Sequence, residues 1–279
     1  MKILVSYRAI PQSRGWATGD CLVRAFQALG HDCVPYGNYY QTQERLEGNR
    51  KVFEEDWDLY LQMECGDGDP FYSELINLRA RKRASWWFDA ALYPSRWLES
   101  IKMFEFDCNF IANANMLYDT LNTVYLPYAA DYLLHSRFSS LKYRHFAFIG
   151  SDRPERRALA QSLNVELKTG VFRDEFIDYL AGSHYAINDV AGGGVGLIPM
   201  RPFEALAAGA AIITPKDDGV KALGLPCIEY GSQSELVSIC HHLSDNNIIP
   251  DNSGQEIVLR HHTYKNRCSA ILAKLFPHE

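Results

Sequence analysis

The residues best suited to chemistry stand in one stretch of the 279-residue chain, Gly192 to Thr214, GGGVGLIPMRPFEALAAGAAIIT. Gly192, Gly193, Gly194 and Gly196 let the backbone come close to a ligand. Arg201-Pro202 then opens a helix, because proline is tolerated in a first helical turn. Phe203, Leu206 and Ala207 fall on its inner face, Gly209 stops it, and Ala210 to Ile213 is an apolar run suited to a strand buried on both faces. A helix start beside a glycine-rich loop attracts phosphate. Arg201 adds a bidentate donor for that anion, and Glu204 can accept hydrogen bonds from a ribose diol. Glycines alone would indicate a turn before an ordinary core helix; Arg201 and Glu204 in the first turn favour a ligand.

A second glycine–arginine segment follows the strand expected at Tyr143 to Ile149. It reads GSDRPERR from Gly150 to Arg157 and enters a helix, Arg156 to Leu163, an arrangement suited to a diphosphate. Asp89 stands at the carboxyl end of the expected strand Ala84 to Phe88, where ligands bind in open α/β sheets and a carboxylate can act as a base. The alternative for Asp89 is a cap on the next segment. Arg14, Trp16 and Asp20, in and just after the loop PQSRGWATG, are candidates for contact with an acceptor, or ordinary surface-loop residues. His262, Tyr264 and Arg267 on the terminal helix are placed to line a cleft between domains. Two further signals are weak. Asp67-Gly68-Asp69 has the DxD form of a metal-bound sugar-diphosphate site but reads better as a turn. RARKR closes a helix expected at Phe71 to Lys82, as a solvated cap or, alternatively, a phosphate contact.

The elements that must position these groups alternate. Strands at Ile3 to Tyr7 and His31 to Tyr36 flank a helix at Asp20 to Leu29, a Rossmann-type opening. No GxGxxG occupies its first turn, which disfavours a dinucleotide enzyme. Asp58 to Glu64, Asn109 to Ala112 and Val124 to Leu126 supply further strands, and Pro127 to Phe138 reads as a linker. The pattern then restarts. The expected domains are 1–137, on the acceptor side, and 138–279, on the nucleotide side, with a last helix, Gly254 to Phe276, able to cross back to the first.

Composition narrows the classes. At 47% hydrophobic and 22% charged the chain suits a soluble globular protein. A formal charge of −6 argues against nucleic-acid binding by bulk charge, though not against a local basic groove. Seven scattered cysteines with no CxxC pair point away from a disulfide framework or zinc site and toward a cytoplasmic setting. The start, MKILVSY, reads as a strand rather than a signal peptide, and no run approaches membrane-spanning length.

Together the segments resemble the two-domain GT-B glycosyltransferases. FIGSDRPERR is similar to their phosphate loop, and MRPFEALAAGAAIIT to the donor motif, in which Glu binds the ribose and the neighbouring Arg the phosphates. GQEIVLRHHTYKNRCSAIL resembles the C-terminal segment of the spore-maturation-type glycosyltransferases. In site spacing the chain is also similar to phage DNA β-glucosyltransferases, which run strand–Asp, GS-x-R-x-x-x-R and LR-x-x-E. The resemblance implies an α/β fold of two Rossmann-like domains facing across a cleft. It implies Asp89 as the general base of an inverting transfer. Gly150, Ser151, Arg153, Arg157, Gly194 and Arg201 would then lie around the diphosphate, with Glu204 on the ribose. The first Glu of the retaining Glu-x7-Glu pattern falls here on Gly196.

The expected activity is transfer from a nucleoside-diphosphate sugar, UDP-sugar first, to a hydroxyl of a glycan, a small molecule or a hydroxymethylated DNA base. Arginines and helix amides can carry the leaving-group charge, so no metal and no other cofactor is required. The alternative is a non-catalytic module that binds nucleotide sugars.

Overall fold

The computed structural model describes residues 1–8, 15–37, 52–64, 73–90, 94–135, 141–189, 198–251 and 253–278. The chain divides into two compact units: Met1–Pro127 with Tyr264–Glu279, and Tyr128–Thr263.

The first unit begins with β1 (Lys2–Ser6), α1 (Thr18–Ala28), β2 (Asp32–Tyr36) and β3 (Asp56–Met63). It continues with β4 (Arg79–Trp87), α2 (Pro94–Phe104), β5 (Cys108–Ile111) and β6 (Thr123–Tyr125). All six strands run parallel in the order β2-β1-β3-β4-β5-β6. Ile3, Leu4, Val5, Leu59, Tyr60 and Leu61 are fully buried, the continuous apolar run that a parallel sheet covered on both faces requires. The chain steps from β1 outward to β2, then back past β1 to β3. The carboxyl ends of β1 and β3 therefore form a topological switch point. Gly19 in the first turn of α1 packs against the Tyr7 ring. A Cβ there would stand 2.1 Å from Tyr7 Cγ, so close approach of helix and strand demands glycine.

The basic stretch RARKR is not a helix end. It is the first half of β4, paired in register with β3 from Asp56↔Arg79 onward. Exposed and half-buried residues lead β4 before it becomes fully buried at Ala84. Its cations are already engaged: Arg79 Nε lies 3.1 Å from Asp56 Oδ1, and Lys82 Nζ lies 2.8 Å from Asp107 Oδ1. Arg83 Nη2 donates to the carbonyls of Ile76 and Leu78. At ~3.3 Å per residue, this patch lies four to eight residues, roughly 13–26 Å, from the end of β4 at Trp87.

The second unit opens with α3 (Tyr132–His135), β7 (Arg144–Ile149), α4 (Pro154–Leu163), β8 (Leu167–Lys168), α5 (Arg173–Ala181) and β9 (Ser183–Ile187). It continues with α6 (Arg201–Ala207), β10 (Ala211–Pro215), α7 (Asp218–Ala222), β11 (Cys227–Tyr230), α8 (Gln233–Asp245) and α9 (Ser253–His261). Its five parallel strands are ordered β11-β10-β9-β7-β8. Leu180, Phe203, Leu206, Val220 and Val258 gather into one core layer. Leu159, Leu163, Leu236, Cys240 and Leu243 gather into the other. Connections from β7 step first to β8 and then back to β9, so the carboxyl ends of β7 and β9 form this sheet's switch point.

The terminal helix expected at Gly254 to Phe276 is two helices, α9 and α10 (Tyr264–Leu275). The break has a tertiary cause. Ala130 N donates to His262 O at 2.9 Å, and Ala130 and Thr263 form a parallel bridge, so the His262 carbonyl is held by a distant residue. α10 belongs to the first unit, where Arg267 Nε donates to Pro127 O at 2.8 Å and Tyr264 meets Trp86 edge-on at 6.3 Å.

Candidate functional site

In the second unit, strand topology brings the segments after β7 and β9 side by side. Arg156, in the first turn of α4, ties them together. Its Nη1 donates to Ser151 Oγ at 2.7 Å, its Nε to Asp189 Oδ2 at 3.2 Å and its Nη2 to Asp189 O at 2.9 Å. Helical side chains lean toward the helix N-terminus, which aims Arg156 back over the loop. The guanidinium crosses bare backbone at Gly150, where a Cβ would stand 2.7 Å from Nη1. Asp189 is held through its neighbour. Asn188 N donates to Ile213 O at 2.8 Å, Asn188 Nδ2 to Thr214 Oγ1 at 2.9 Å, and Tyr230 OH to Asn188 O at 3.0 Å. Burial, with the charge of Asp189 behind it, pushes the Tyr230 phenol up, so it stays a donor.

Arg201, the first residue of α6, reaches the same strand end. Its Nη2 lies 3.5 Å from the carbonyl of Ile149, the last residue of β7, and its guanidinium lies over the Phe176 ring at 4.7 Å. Its Nη1 pairs with Glu204 Oε2 at 3.2 Å across one helical turn. Burial holds the Arg201 guanidinium below its ordinary value; Glu204 opposes that, and the nearby charge of Arg156 adds to it. The end of β7 thus carries two guanidinium groups with like charge between them. Its carboxylates, Asp189 and Glu204, are each engaged with one of the two.

In the first unit, Asp89 stands two residues past β4, half-buried, with its carboxyl pushed up by burial. Glu64, the residue after neighbouring β3, reaches across to it. Glu64 Oε2 accepts from Phe88 N at 2.5 Å and from Asp89 N at 2.6 Å. Burial pushes the Glu64 carboxyl up to about 7; the two backbone bonds oppose the rise and the charge of Asp89 adds to it.

The sequence-derived residues divide on this geometry. Gly150, Ser151, Arg201 and Glu204 gather at the end of β7 with Arg156 and Asp189. Arg153 and Arg157 are exposed, and Arg157 Nε pairs with Asp152 Oδ1 at 3.2 Å. Asp20 is 5% exposed and anchors its own loop, accepting from Tyr7 OH at 2.7 Å and Gly15 N at 2.9 Å. Trp16 beside it is half-buried. His262, Tyr264 and Arg267 are buried packing residues, with His262 Nε2 3.0 Å from Leu223 O. Arg14, Asp67, Asp69, Gly194 and the rest of Gly192 to Gly196 lie outside the described residues. Sequence reasoning missed Arg156, Asp189 and Glu64. Each carried a signal: Arg156 opens a helix after a strand, and Asp189 and Glu64 are the acids just past apolar strands.

Among the described residues no helix is long and apolar enough to cross a membrane. Residues 132–273, just over half of the chain, match the family described as glycosyl transferase-like. No curated protein matches the chain in sequence. Its fold is similar to AviGT4, a glycosyltransferase involved in avilamycin A biosynthesis, with TM-score 0.62 and 11% identity over 98% of this chain and 96% of that one. It is similar to an α-glucosyltransferase in complex with UDP and a 13-mer DNA containing a central A:G mismatch, with TM-score 0.59 and 11% identity over 99% and 96%. It is also similar to T4 phage BGT in complex with its UDP-glucose substrate, with TM-score 0.53 and 11% identity over 98% and 96%. The expected α/β fold of the GT-B glycosyltransferases is therefore the fold of this chain.

Proposed function

The chain belongs to the glycosyl transferase-like family, and from that premise we propose that it moves the sugar of a UDP-sugar to an acceptor hydroxyl, inverting the anomeric centre and using no metal. One observation carries the donor half: Arg156 and Arg201 converge on the carboxyl end of β7 at a switch point. Two like charges held there are stabilised by an anion of matching charge, and a diphosphate supplies one. Glu204 exchanges part of its bond to Arg201 for the ribose hydroxyls.

In the reaction the acceptor O–H loses its proton to Asp89 as its oxygen bonds to the anomeric carbon. The bond from that carbon to the β-phosphate breaks, and its electron pair leaves on UDP. Arg156 and Arg201 stabilise the charge that grows on the diphosphate, work otherwise done by a divalent ion. Arg153 and Arg157, exposed at the same helix start, add long-range attraction for the donor. The neighbours with UDP or UDP-glucose bound support the choice of nucleotide. The acceptor class stays at a hydroxyl.

Thermal stabilisation by UDP and UDP-glucose tests this reading. A ligand at 100 times its Kd adds about 2.7 kcal/mol. Wild type should be stabilised by UDP, and Arg156→Ala and Glu204→Ala should lose most of the shift. Absence of any shift at millimolar UDP would remove the donor site. Tight binding of UDP-glucose with neither hydrolysis nor transfer would reduce the protein to a binding module. Activity lost in chelator and restored by a divalent ion would sink the metal-free mechanism.

A further inference from the structure

We infer that Glu64 is the positioning residue of the base: it clamps the backbone N–H groups of Phe88 and Asp89 and so holds the Asp89 turn in place at the end of β4. The inference rests on Asp89 being the base and names what holds it ready.

The clamp is geometric. Glu64 N donates to Trp86 O at 2.9 Å, which fixes the residue against β4. Its Oε2 then takes both N–H groups of the turn, Phe88 at 2.5 Å and Asp89 at 2.6 Å. The Phe88 ring packs on Trp86 at 4.9 Å, so the turn is pinned from two sides.

Electrostatics then assigns the proton. Two neighbouring carboxyl groups sheltered from water do not both ionise cheaply, so the charge of Asp89 adds to the rise at Glu64. Among the described residues, Asp89 is the ionisable group whose charge bears on Glu64. Burial pushes Glu64 to about 7 and raises Asp89 as well. Below about pH 7 Glu64 therefore carries a proton, while its clamp on the backbone leaves Asp89 as the acid offered to the acceptor.

Difference infrared spectroscopy of the full chain, titrated from acid to alkaline pH, reads this proton directly. The C=O band of a protonated carboxyl should fade with a midpoint near 7 in wild type. It should be missing in Glu64→Gln, and its midpoint should drop by about one pH unit in Asp89→Asn, where the neighbouring charge is gone. Hydrolysis of UDP-glucose supplies the second readout. Glu64→Gln, which keeps the acceptor oxygen, should retain kcat within a few-fold and lose the pH step near 7. Glu64→Ala should lose about tenfold or more in kcat, with KM for UDP-glucose unchanged.

A band that survives in Glu64→Gln, or identical pH profiles for wild type and Glu64→Gln, would overturn the inference. Full hydrolysis by Asp89→Asn would sink the base assignment and with it the catalytic role of Glu64. A midpoint that ignores Asp89→Asn would sink the pairing and leave the base standing.

Discussion

The two units wind alike and differ in what they place at the same end. In each, the first strand lies one in from the edge, the second forms that edge, and the third crosses to the other side. Each switch point therefore faces the carboxyl ends of its strands. Past β3, one side of the first sheet's switch point, and past its neighbour β4 stand Glu64 and Asp89, two acids at one turn. At β7 and β9 of the second they carry Arg156 and Arg201, with Asp189 and Glu204 as partners. Topology sets where a ligand can sit. The side chains that follow each strand, in the turn or in the helix beyond it, set which charge it meets.

The largest expected effect falls on the acidic end. Asp89→Asn should lower transfer by about 10²–10⁴-fold, the range for general-base help, while leaving UDP affinity near wild type. Steady-state kinetics beside calorimetric UDP titration checks both. Retention of more than about a tenth of turnover would place the base elsewhere.

At the basic end the largest effect is on folding. Glu204 is 8% exposed, so Arg201→Ala leaves a buried carboxylate without its cation, a loss of about 3–5 kcal/mol for such pairs. Denaturant titration should show that loss, and Arg201→Met with Glu204→Leu together should recover most of it. If the double variant is no more stable than Arg201→Ala, the two residues do not act as a pair.

Next comes a pH effect confined to the first unit. A Glu64 carboxyl at about 7, against an ordinary 4.5, holds a proton in the folded state that the unfolded chain has shed across that window. Stability from this group is therefore full below about 4.5, declines as pH rises toward 7 and is flat above it, amounting to about 3 kcal/mol over the whole span. Asp89, raised in the same direction, adds to the slope. Unfolding free energies across this range should show a decline that Glu64→Gln removes. An unchanged slope in Glu64→Gln would assign the titration to another group.

Much of this was legible in the residues, for a physical reason in each case. β1, β3 and β10 are apolar runs buried on both faces, so composition marks them to within a residue or two. Helix α6 begins at Arg201-Pro202 and ends before Gly209, at φ +77°, as its caps require. The first half of β4 was hidden because it is cationic and half-exposed, and only register with β3 makes it a strand. The break between α9 and α10 comes from Ala130, more than a hundred residues away, and leaves no local mark. Arg153 and Arg157 follow from the spacing of the phage enzymes. Helix direction favours Arg156, a rule of side-chain geometry that spacing does not contain. Glu64 was absorbed into the apolar run that it terminates.

The smallest predicted effect separates the two ends through one glycine in each. At Gly19 an added Cβ meets the ring of Tyr7, a buried aromatic that cannot move aside, so Gly19→Ala should cost stability. At Gly150 the Cβ meets Arg156 Nη1 at 2.7 Å and Cζ at 3.1 Å, the far end of a flexible side chain. Gly150→Ala should therefore fold nearly as well as wild type while displacing Arg156 from Ser151. The displaced guanidinium no longer waits in place for a phosphate, and the loss of one charge-assisted contact is worth about 1.5 kcal/mol, or roughly tenfold in Kd. Melting curves should find Gly19→Ala the less stable variant, and UDP titration should find Gly150→Ala the weaker binder. If Gly150→Ala binds UDP as tightly as wild type, Arg156 is a strut between β7 and β9 rather than a donor contact, and the charge at the basic end rests on Arg201 alone.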